Sequence, residues 1–463
     1  MLNKFNNMSL LFYFWMATLP FLSISPWQAI YGTKLISGLI FALFSLFVVL
    51  LFFIYYKKES LAGIKGAFLN NKSFYLLLLC FVIWNFISLY FNWKHISAPP
   101  YMQDAAGLKG PYLYNLFFMA YLLFNILILY FIQMLANNYI AIRVLFYASA
   151  ASSFFGVLTI WGYMLGFVKE LVFPAYIIPR LYGTATEPQS FGNYLIPILF
   201  LALIVLTEKK IKIVDYICAF FIFLAFLMTF SLGAFVGGAV GLVIFLILNK
   251  RLLSKEFYQR AGIISVLLIV FVIGINSLLW PGYYKAFFKY STKIQLWRTK
   301  MELQSITKRI ATIEGEVLYK YSNAEAVDDK VTRAWMAQAA MNMFKSNPVI
   351  GIGPGNYGFL YNDYRPKNSP IKDFIERTHN IYLQVLAENG LPGLIMFLGF
   401  LYVLIYSSAK KWFLAKDTGS KLVLAGLLSG FIGLLVHGLS YGILQHSHTW
   451  VIMGLLMAAK DNI

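Results

Sequence analysis

Charged residues are scarce in this chain. Only 12% of its 463 residues are Asp, Glu, Lys or Arg, whereas 60% are hydrophobic. A soluble domain carries roughly a quarter charged residues, so an ordinary soluble fold is excluded. Apolar stretches of about 20 residues, each long enough to cross a bilayer, recur along the sequence instead. The composition therefore predicts an all-α, polytopic membrane protein.

Cysteine is almost absent as well. Cys80 and Cys218 both fall inside predicted spans, which excludes a disulfide framework and a thiolate metal site. Four of the five histidines lie near span ends without the spacing of a metal site: His95, His437, His446 and His448. The sequence therefore predicts neither a metal site nor a cofactor.

The hydropathy pattern predicts about twelve transmembrane helices. The predicted spans centre near, cover or begin at these positions: Leu19, Leu46, Val82, Leu127, Tyr139 to Gly166, the stretch after Pro188, Ile211 to Thr229, Leu232 to Leu248, a ninth ending near Trp280, and three beginning near Leu391, Leu422 and His448. The expected organisation is nine spans in residues 1–280, a large helical segment carrying candidate motifs in 281–390, and three spans in 391–463.

Basic residues cluster in four loops that this count places on one side of the membrane. The clusters are Lys57, Lys58, Lys65 and Lys72; Lys209, Lys210 and Lys212; Lys250, Arg251, Lys255 and Arg260; and Lys410, Lys411, Lys416 and Lys421. Loops rich in lysine and arginine face the cytoplasm, so segment 281–390 is expected outside it. The same loops, meeting anionic lipid, explain the net charge of +19 without a nucleic-acid partner.

One predicted helix of the outer segment carries an arginine on its apolar face. From Val331, apolar residues recur at helical spacing: Met336, Ala339, Ala340, Met343 and Phe344. Arg333 lies on the same stripe, and an unpaired buried guanidinium is costly. The residue therefore either pairs with Glu187 or another local acid, or binds phosphate, whose oxygens match its planar fork.

Glycines follow this helix. Asn347-Pro348 is predicted to end it, and the stretch from Gly351 to Gly358 turns the chain. The stretch matches neither a P-loop nor a dinucleotide fingerprint. Its expected role is a tight turn that brings backbone close to a helix or a ligand.

A histidine stands near the start of the next predicted helix. Thr378 is expected to be the N-cap of a short helix that runs to Glu388 and ends at Asn389-Gly390 and Pro392. His379 would then lie in the first turn, where a helix favours anions. It either packs locally or acts as a general base beside bound phosphate.

A second polar segment, from Arg180 to Asn193, precedes the sixth predicted span on the same outer face. Arg180 and Glu187 either pair with each other or line a cavity, where polar backbone at membrane depth is tolerated. In the second case, Arg180 and Arg333 together would neutralise a diphosphate. Elsewhere, Gly233, Gly237 and Gly241 form a ridge expected to serve close helix packing.

These motifs resemble those of the bacterial O-antigen ligase and polymerase superfamily. The resemblance is carried by R-A-W at Arg333, N-P-V-I-G-I-G-P-G-N-Y-G from Asn347, and T-H-N-I-Y-L-Q-V-L-A-E-N-G-L-P-G from Thr378. It implies a GT-C-like, all-helical fold and an inverting, metal-independent glycosyltransferase. Such an enzyme takes glycan from an undecaprenyl-diphosphate-linked oligosaccharide at the periplasmic face of the bacterial inner membrane.

The resemblance also implies roles for individual residues. By motif position, Arg180 and Arg333 would bind the diphosphate, and His379 would assist attack by the acceptor hydroxyl. Glu187 is a second candidate for activating the acceptor, or for orienting an arginine. The remaining polar residues of the motifs are predicted to bind substrate: Asn356, Asn380 and Glu388.

Two departures from the family pattern bear on the subfamily. Ser231-Leu232-Gly233-Ala234 lacks the arginine of the usual signature, so no third cationic contact is expected there. Glu187-Pro188 is nearer to exopolysaccharide and O-antigen polymerases than to ligases. The main hypothesis is therefore a polymerase that joins lipid-linked repeat units, with a chain-length regulator as a partner that the family allows.

Two alternatives stay open. A ligase would attach finished glycan to lipid A core. A transporter of lipid-linked sugars belongs to a different class, but transporters place ionisable residues in mid-membrane and repeat their halves, which this sequence does not do.

Overall fold

The structure is a computed structural model that describes residues 2–22, 44–51, 66–93, 111–164, 180–278 and 329–459, apart from gaps at 49, 67, 182, 184, 186, 368, 370–374 and 376. No residue in these ranges belongs to a β-strand. The polar stretch from 293 to 323, for which the sequence suggests exposed helices, lies outside the described residues.

The described ranges contain a series of helices. In chain order they are α1 (Leu2–Leu22), α2 (Lys72–Asn92), α3 (Pro111–Leu135), α4 (Asn138–Met164), α5 (Pro188–Leu206), α6 (Ile213–Met228), α7 (Leu232–Asn249), α8 (Lys255–Leu278), α9 (Asp329–Ser346), α10 (Tyr357–Tyr364), α11 (Ile381–Leu414), α12 (Thr418–His437) and α13 (Ser447–Ala458).

Eight of these helices are long and apolar enough to cross a membrane, and three shorter apolar helices lie at Leu10–Phe21, Ile213–Met228 and Ser447–Ala458. Each lies where the hydropathy pattern predicts a span. The span predicted near Leu46 is described only over residues 44–51, which are helical. The prediction of an all-α polytopic membrane protein is confirmed.

Helix α5 is the centre of the bundle, because nearly all of its side chains are buried. It packs against α12, which in turn packs closely along α7. Glycines on α7 permit this approach: a Cβ on Gly237 would lie 2.5 Å from the Gly433 carbonyl oxygen, and one on Gly241 would lie 2.7 Å from that of Ser429. The predicted packing role of the glycine ridge is confirmed.

The connections of the bundle divide between its two ends. The loops after α5, α7 and α11 contain the lysine and arginine clusters around residues 209, 250 and 416, and we call this the basic end. The loops after α6 and α12, residues 229–231 and 438–446, follow the other ends of these helices and meet there, where a Cβ on Gly233 would lie 2.1 Å from Ser440 Oγ. The candidate site is at this second end.

A smaller core lies beside the bundle. The apolar stripe predicted on α9 is buried from Met336 to Met343 and packs against Ile352, Tyr357 and Tyr361. Helix α9 ends at Ser346, immediately before Asn347-Pro348, as expected. The helical period of this segment and its end were therefore predicted correctly.

Candidate functional site

The glycine-rich stretch after α9 packs against a break in α11. Helix α11 has a non-helical residue at Gly390, with φ 65° and ψ −171°. The stretch supplies partners for the carbonyl groups that this break releases: Ile352 N–H donates to Ala387 (3.0 Å) and Gly353 N–H to Glu388 (2.9 Å). We call this contact the glycine joint.

The joint has no room for larger residues. A Cβ on Gly390 would lie 2.2 Å from the Val349 carbonyl oxygen, and one on Gly351, where φ is 75°, would lie 2.4 Å from the Glu388 backbone. Gly351 and Gly390 are thus required, because the two backbones approach too closely at these positions for a side chain. The expected structural role of the stretch is confirmed. The short helix predicted to end at Asn389-Gly390 is interrupted there by the non-helical Gly390, and α11 continues beyond it.

Two of the predicted substrate-binding residues are internal parts of this joint. Asn356 is fully buried, donates to the Ile352 carbonyl (2.8 Å) and accepts from Asn115 (2.5 Å). Glu388 is 3% exposed and accepts from the Tyr357 N–H and from Gln384, both at 3.3 Å. Both side chains hold neighbouring segments in place, and direct contact with substrate stays a prediction for them.

The start of α11 differs from the prediction by two residues. Asn380, and not Thr378, is the N-cap: its Oδ1 accepts from the Tyr382 and Leu383 N–H groups at 3.0 and 3.1 Å. Thr378 instead accepts from the Asn380 N–H (3.0 Å). Both residue types cap helices well, so the sequence could not choose between them.

His379 therefore lies before the helix and not in its first turn. Its φ of 52° is unusual for a residue with a side chain. This backbone turn places the imidazole 6.3 Å from the ring of Tyr441. The predicted placement in the first turn was wrong, whereas the position of His379 among polar groups from other segments is what a site requires.

Four aromatic rings are stacked on one another at this end of the bundle. Tyr441 lies between His437 and His446, with ring centroids 5.3 and 5.4 Å away and nearly parallel planes. His446 in turn stacks on His448 at 5.3 Å. We call these four residues the histidine–tyrosine stack. The spacing of its three histidines in the sequence predicts no metal site, and that spacing gives no sign of the stack.

Asn193 ties the two ends of the stack together. His437 Nδ1 donates to Asn193 Oδ1 (2.9 Å), and Asn193 Nδ2 donates to His448 Nε2 (3.2 Å). These bonds fix which nitrogen of each ring carries its proton, since an amide oxygen only accepts and an amide nitrogen only donates. Asn193 thus links the first and the last ring of the stack.

Glu187 binds to this stack through Tyr441, whose hydroxyl donates to Glu187 Oε1 at 2.5 Å. Glu187 is also the N-cap residue of α5, although its side chain makes no cap hydrogen bond. Burial raises the pKa of Tyr441 well above its usual value, and the Glu187 carboxylate adds to this effect. Tyr441 therefore stays protonated and remains a donor to the carboxylate.

Arg180 is held by the end of a helix. Its Nε donates to the Thr229 carbonyl (2.9 Å) and its Nη2 to the Phe230 carbonyl (3.0 Å), just beyond the last residue of α6. The C-terminal end of a helix carries partial negative charge, so it favours a guanidinium. The alternative in which Arg180 pairs with Glu187 is not seen among the described residues.

Arg333 reaches the same region from α9. Its Nη1 donates to the carbonyl of Ser440, the residue before Tyr441 in the stack (3.2 Å). In the described part of the chain, the carboxylate–arginine ion pairs belong to Arg143, so the expected alternative of an Arg333–Glu187 salt bridge is not found.

The predicted residues from three separate segments converge on one corner. A Cβ on Gly233 would lie 2.1 Å from Ser440 Oγ, so the start of α7, next to the carbonyls that hold Arg180, touches the loop that holds Arg333. The same loop contains Tyr441, the neighbour of His379 and Glu187. The structure thus brings Arg180, Arg333, His379 and Glu187 to one end of the bundle.

Arg377 is a member of this corner that the sequence analysis missed. Its side chain lies over Gly442, where an added Cβ would be 3.7 Å from Arg377 Cδ and 3.9 Å from Nη1. Its positive charge acts on Tyr441 and His446. Burial lowers the pKa of His446 well below its usual value, with His448 and Arg377 acting in the same direction. The signal available in the sequence was the position of Arg377, two residues before His379.

The chemistry of this corner is that of cations, one carboxylate and neutral imidazole. Among the described residues, no three His, Cys, Asp or Glu side chains are grouped so as to hold a metal ion. Guanidinium groups bind phosphate oxygens through paired hydrogen bonds, and a carboxylate or an imidazole can accept a proton. The arrangement suits a phosphorylated ligand next to a proton-accepting group.

Comparison with known proteins gives a family for part of the chain. Residues 217–398 match the family model described as O-antigen ligase. The match runs from α6 to the middle of α11 and contains Arg333, His379 and the glycine joint. Arg180, Glu187 and the histidine–tyrosine stack lie outside it.

A curated relative is also similar over part of its length. The chain is 24% identical over 255 residues to the teichuronic acid biosynthesis protein TuaE of Bacillus subtilis (strain 168). The alignment covers 55% of this chain and 45% of the relative, so it spans about half of each protein.

Proposed function

Because residues 217–398 of this membrane chain match the O-antigen ligase family, we propose that the protein is a glycosyltransferase that joins glycan chains on a polyprenyl diphosphate carrier. The observation that carries the proposal is that Arg333, His379 and Glu187 meet at the loop 438–446. Arg180 is held beside them, at residues 229–230, next to the start of α7 that touches the same loop. The segments that meet there are far apart in sequence. Their meeting provides cations for a diphosphate and an acceptor for a proton.

The proposed reaction is a displacement at the anomeric carbon of the donor sugar. The acceptor hydroxyl oxygen forms a bond to this carbon while the bond from carbon to the diphosphate oxygen breaks. The electron pair leaves with the polyprenyl diphosphate, and Arg180 and Arg333 stabilise the charge that develops there. Attack from the opposite face inverts the anomeric configuration.

The proton of the acceptor hydroxyl passes to His379 or Glu187. His379 belongs to the family-matched part of the chain, and its unusual backbone turn aims it toward Tyr441. Glu187 is oriented by the Tyr441 hydroxyl. We assign proton acceptance to His379 and orientation of the acceptor to Glu187, and the substitutions described in the Discussion separate these roles.

We place the reaction at the outer face of the bacterial cytoplasmic membrane. The corner that holds the arginines is at the end of the bundle opposite to the basic loops. Basic loops face the cytoplasm, so the corner would face outward. A carrier-linked donor fits this location because the energy for transfer then arrives with the lipid.

A polymerase is the subfamily that we favour. The polymerase-like motif Glu187-Pro188 lies at the start of α5. Its Glu187 accepts a hydrogen bond from Tyr441, so this motif contributes a residue to the site. The similar protein TuaE is named for teichuronic acid biosynthesis and not for O-antigen. Both donor and acceptor would then be lipid-linked repeat units, and the alternative acceptor is lipid A core.

The test is the glycan profile of a strain that lacks this protein. Loss of a polymerase leaves single repeat units attached to their final acceptor, whereas loss of a ligase leaves none attached and polymer held on the carrier. Purified protein supplied with lipid-linked oligosaccharide should make longer glycan. If it only moved the substrate across a vesicle membrane, the chain would be a transporter and the proposal would fail.

A further inference from the structure

A cavity lies beside the corner, between helices that come from three parts of the chain. It is walled by α2, α3, the first turns of α11 and the loop 438–446. Ligand sites in proteins are commonly lined by apolar side chains with a few polar groups that fix the orientation of the ligand. The lining of this cavity fits that description.

Three amide side chains in the wall carry oxygens without a described partner. They are Gln384 Oε1, Asn389 Oδ1 and Gln445 Oε1, each buried and without a hydrogen bond among the described residues. Gln384 is 3% exposed and Asn389 is 2% exposed. A buried acceptor without a donor costs about 1–3 kcal/mol, so three in one cavity indicate a ligand that donates hydrogen bonds.

Aromatic rings face the same space. Phe81, Phe118 and Tyr121 line the cavity together with the amides. Flat rings offer an apolar surface, and planar amides offer donors and acceptors in fixed directions. Pyranose sugars match both surfaces, since the C–H groups on one face of the sugar pack on aromatic rings and its hydroxyl groups form hydrogen bonds with amides.

We propose that this cavity is a sugar subsite, which holds one end of the glycan substrate next to the reacting corner. The amide oxygens of Gln384, Asn389 and Gln445 accept hydrogen bonds from its hydroxyl or N-acetyl N–H groups. This inference rests on the proposed glycosyl transfer and adds to it the residues that recognise the sugar.

The cavity is joined to the corner by two direct links. Gln445 is the neighbour of His446 in the histidine–tyrosine stack. The Tyr121 hydroxyl, in the cavity wall, lies 3.1 Å from Ser447 Oγ, the residue before His448. A sugar bound here would therefore continue toward the groups that hold the diphosphate or the acceptor hydroxyl.

An isoprenyl chain is the competing occupant, because Leu122, Val385 and Leu444 also line the cavity. An apolar chain would leave the amide oxygens unpartnered. Replacement of a glutamine by methionine, which is similar in shape and apolar, therefore has opposite consequences for the two occupants. It weakens a sugar site and leaves a lipid site unchanged or improved.

The test compares Gln445→Met with the matched control Asn249→Leu. Asn249 is a buried amide with an unpartnered Oδ1 at the basic end, far from the cavity. Each protein is expressed in the deletion strain, its glycan ladder is measured, and the thermal unfolding of the purified protein is recorded. Removal of an unpartnered buried oxygen is expected to leave stability unchanged or higher in both.

For Gln445→Met we expect about tenfold less polymer, and for Asn249→Leu the wild-type ladder. Unchanged polymer in a stable Gln445→Met protein would overturn the sugar subsite. Gln384→Met is the second variant, should the first fail to fold. Unfolding of both would mean that the amides hold the fold together, which would equally count against a ligand site.

Failure of the proposed function gives a different result. In that case the deletion strain itself has an unaltered glycan profile, and Arg333→Ala behaves like the wild type. A sugar subsite that fails within a correct proposed function leaves Arg333→Ala inactive and Gln445→Met active. The two outcomes cannot be confused.

Discussion

The two ends of the bundle use the same residue types in different ways. At the basic end, Arg143 pairs with Glu208 and with Asp215 (2.8 Å), so carboxylates meet the guanidinium directly. At the opposite corner, Arg180 and Arg333 each donate hydrogen bonds to backbone carbonyls. The carboxylate there, Glu187, accepts from a tyrosine.

This difference separates a contact that stabilises from a contact that orients. A carboxylate adds a full negative charge to a guanidinium, whereas a carbonyl fixes the direction of its N–H groups and adds only a dipole. The pair at Arg143 closes the α4–α6 interface at the basic end. The carbonyl contacts at the corner fix the direction of the Arg180 and Arg333 guanidinium groups.

Arg333→Ala tests the comparison with the largest expected effect. We expect at least about a hundredfold loss of glycan transfer, because the charge on the leaving diphosphate loses a stabilising cation. The transfer rate of Arg333→Lys should lie between the rates of the wild type and of Arg333→Ala, since lysine keeps the charge without the planar fork. Transfer is measured with purified protein and lipid-linked oligosaccharide, and thermal unfolding should be little changed.

Arg143→Ala is the matched control from the other end. Removal of one partner from a largely buried ion pair costs about 3 kcal/mol, so its unfolding temperature should fall while transfer per folded molecule stays constant. If instead Arg333→Ala lost stability and kept transfer, the two ends would not differ as argued.

The second test separates His379 from Glu187. A general base contributes about 10²–10⁴-fold to a rate, so His379→Ala should lose transfer within that range. Glu187→Gln keeps an oxygen for the Tyr441 hydroxyl and should lose about tenfold. The reverse order of the two losses, measured as initial rates at saturating donor, would assign the proton acceptor to Glu187.

Tyr441→Phe sharpens the same comparison with a smaller change. It removes the hydroxyl that orients Glu187 and keeps the ring between His437 and His446. Hydrogen bonds to charged groups contribute about 1.5–3 kcal/mol, so we expect about a tenfold lower kcat with KM nearly unchanged. A variant that folds and transfers normally would show that Glu187 needs no orientation.

The spans and the helical stripe on α9 were predictable because they follow from local periodicity and from the cost of exposing polar backbone to lipid. The glycine stretch was predictable for a similar reason, since repeated glycines mark close backbone approach. The N-cap of α11 was not, because Thr378 and Asn380 both cap helices and only packing chooses between them.

The corner shows the limit of inference from sequence. Arg180, Arg333 and His379 were found through motifs, but Tyr441 and Arg377 belong to no motif that marked them. Their importance comes from the reversal of α12 into the loop 438–446, which brings residues more than 200 positions from Glu187 into contact with it. Such contacts depend on helix packing across the bundle and leave no local pattern.

The smallest expected effect concerns pH and the histidine–tyrosine stack. His446 is stacked between Tyr441 and His448, near the charge of Arg377 and near His437, and its pKa lies well below the ordinary value. An unfolded histidine binds a proton near pH 6.5, whereas the folded one resists it, so stability is full above about pH 6.5 and falls as pH decreases below it. The unfolding temperature should therefore fall between pH 7 and pH 5, and His446→Phe, which keeps the stack without a titrating group, should fall less steeply. Equal slopes for the two proteins would show that His446 does not gain a proton on unfolding.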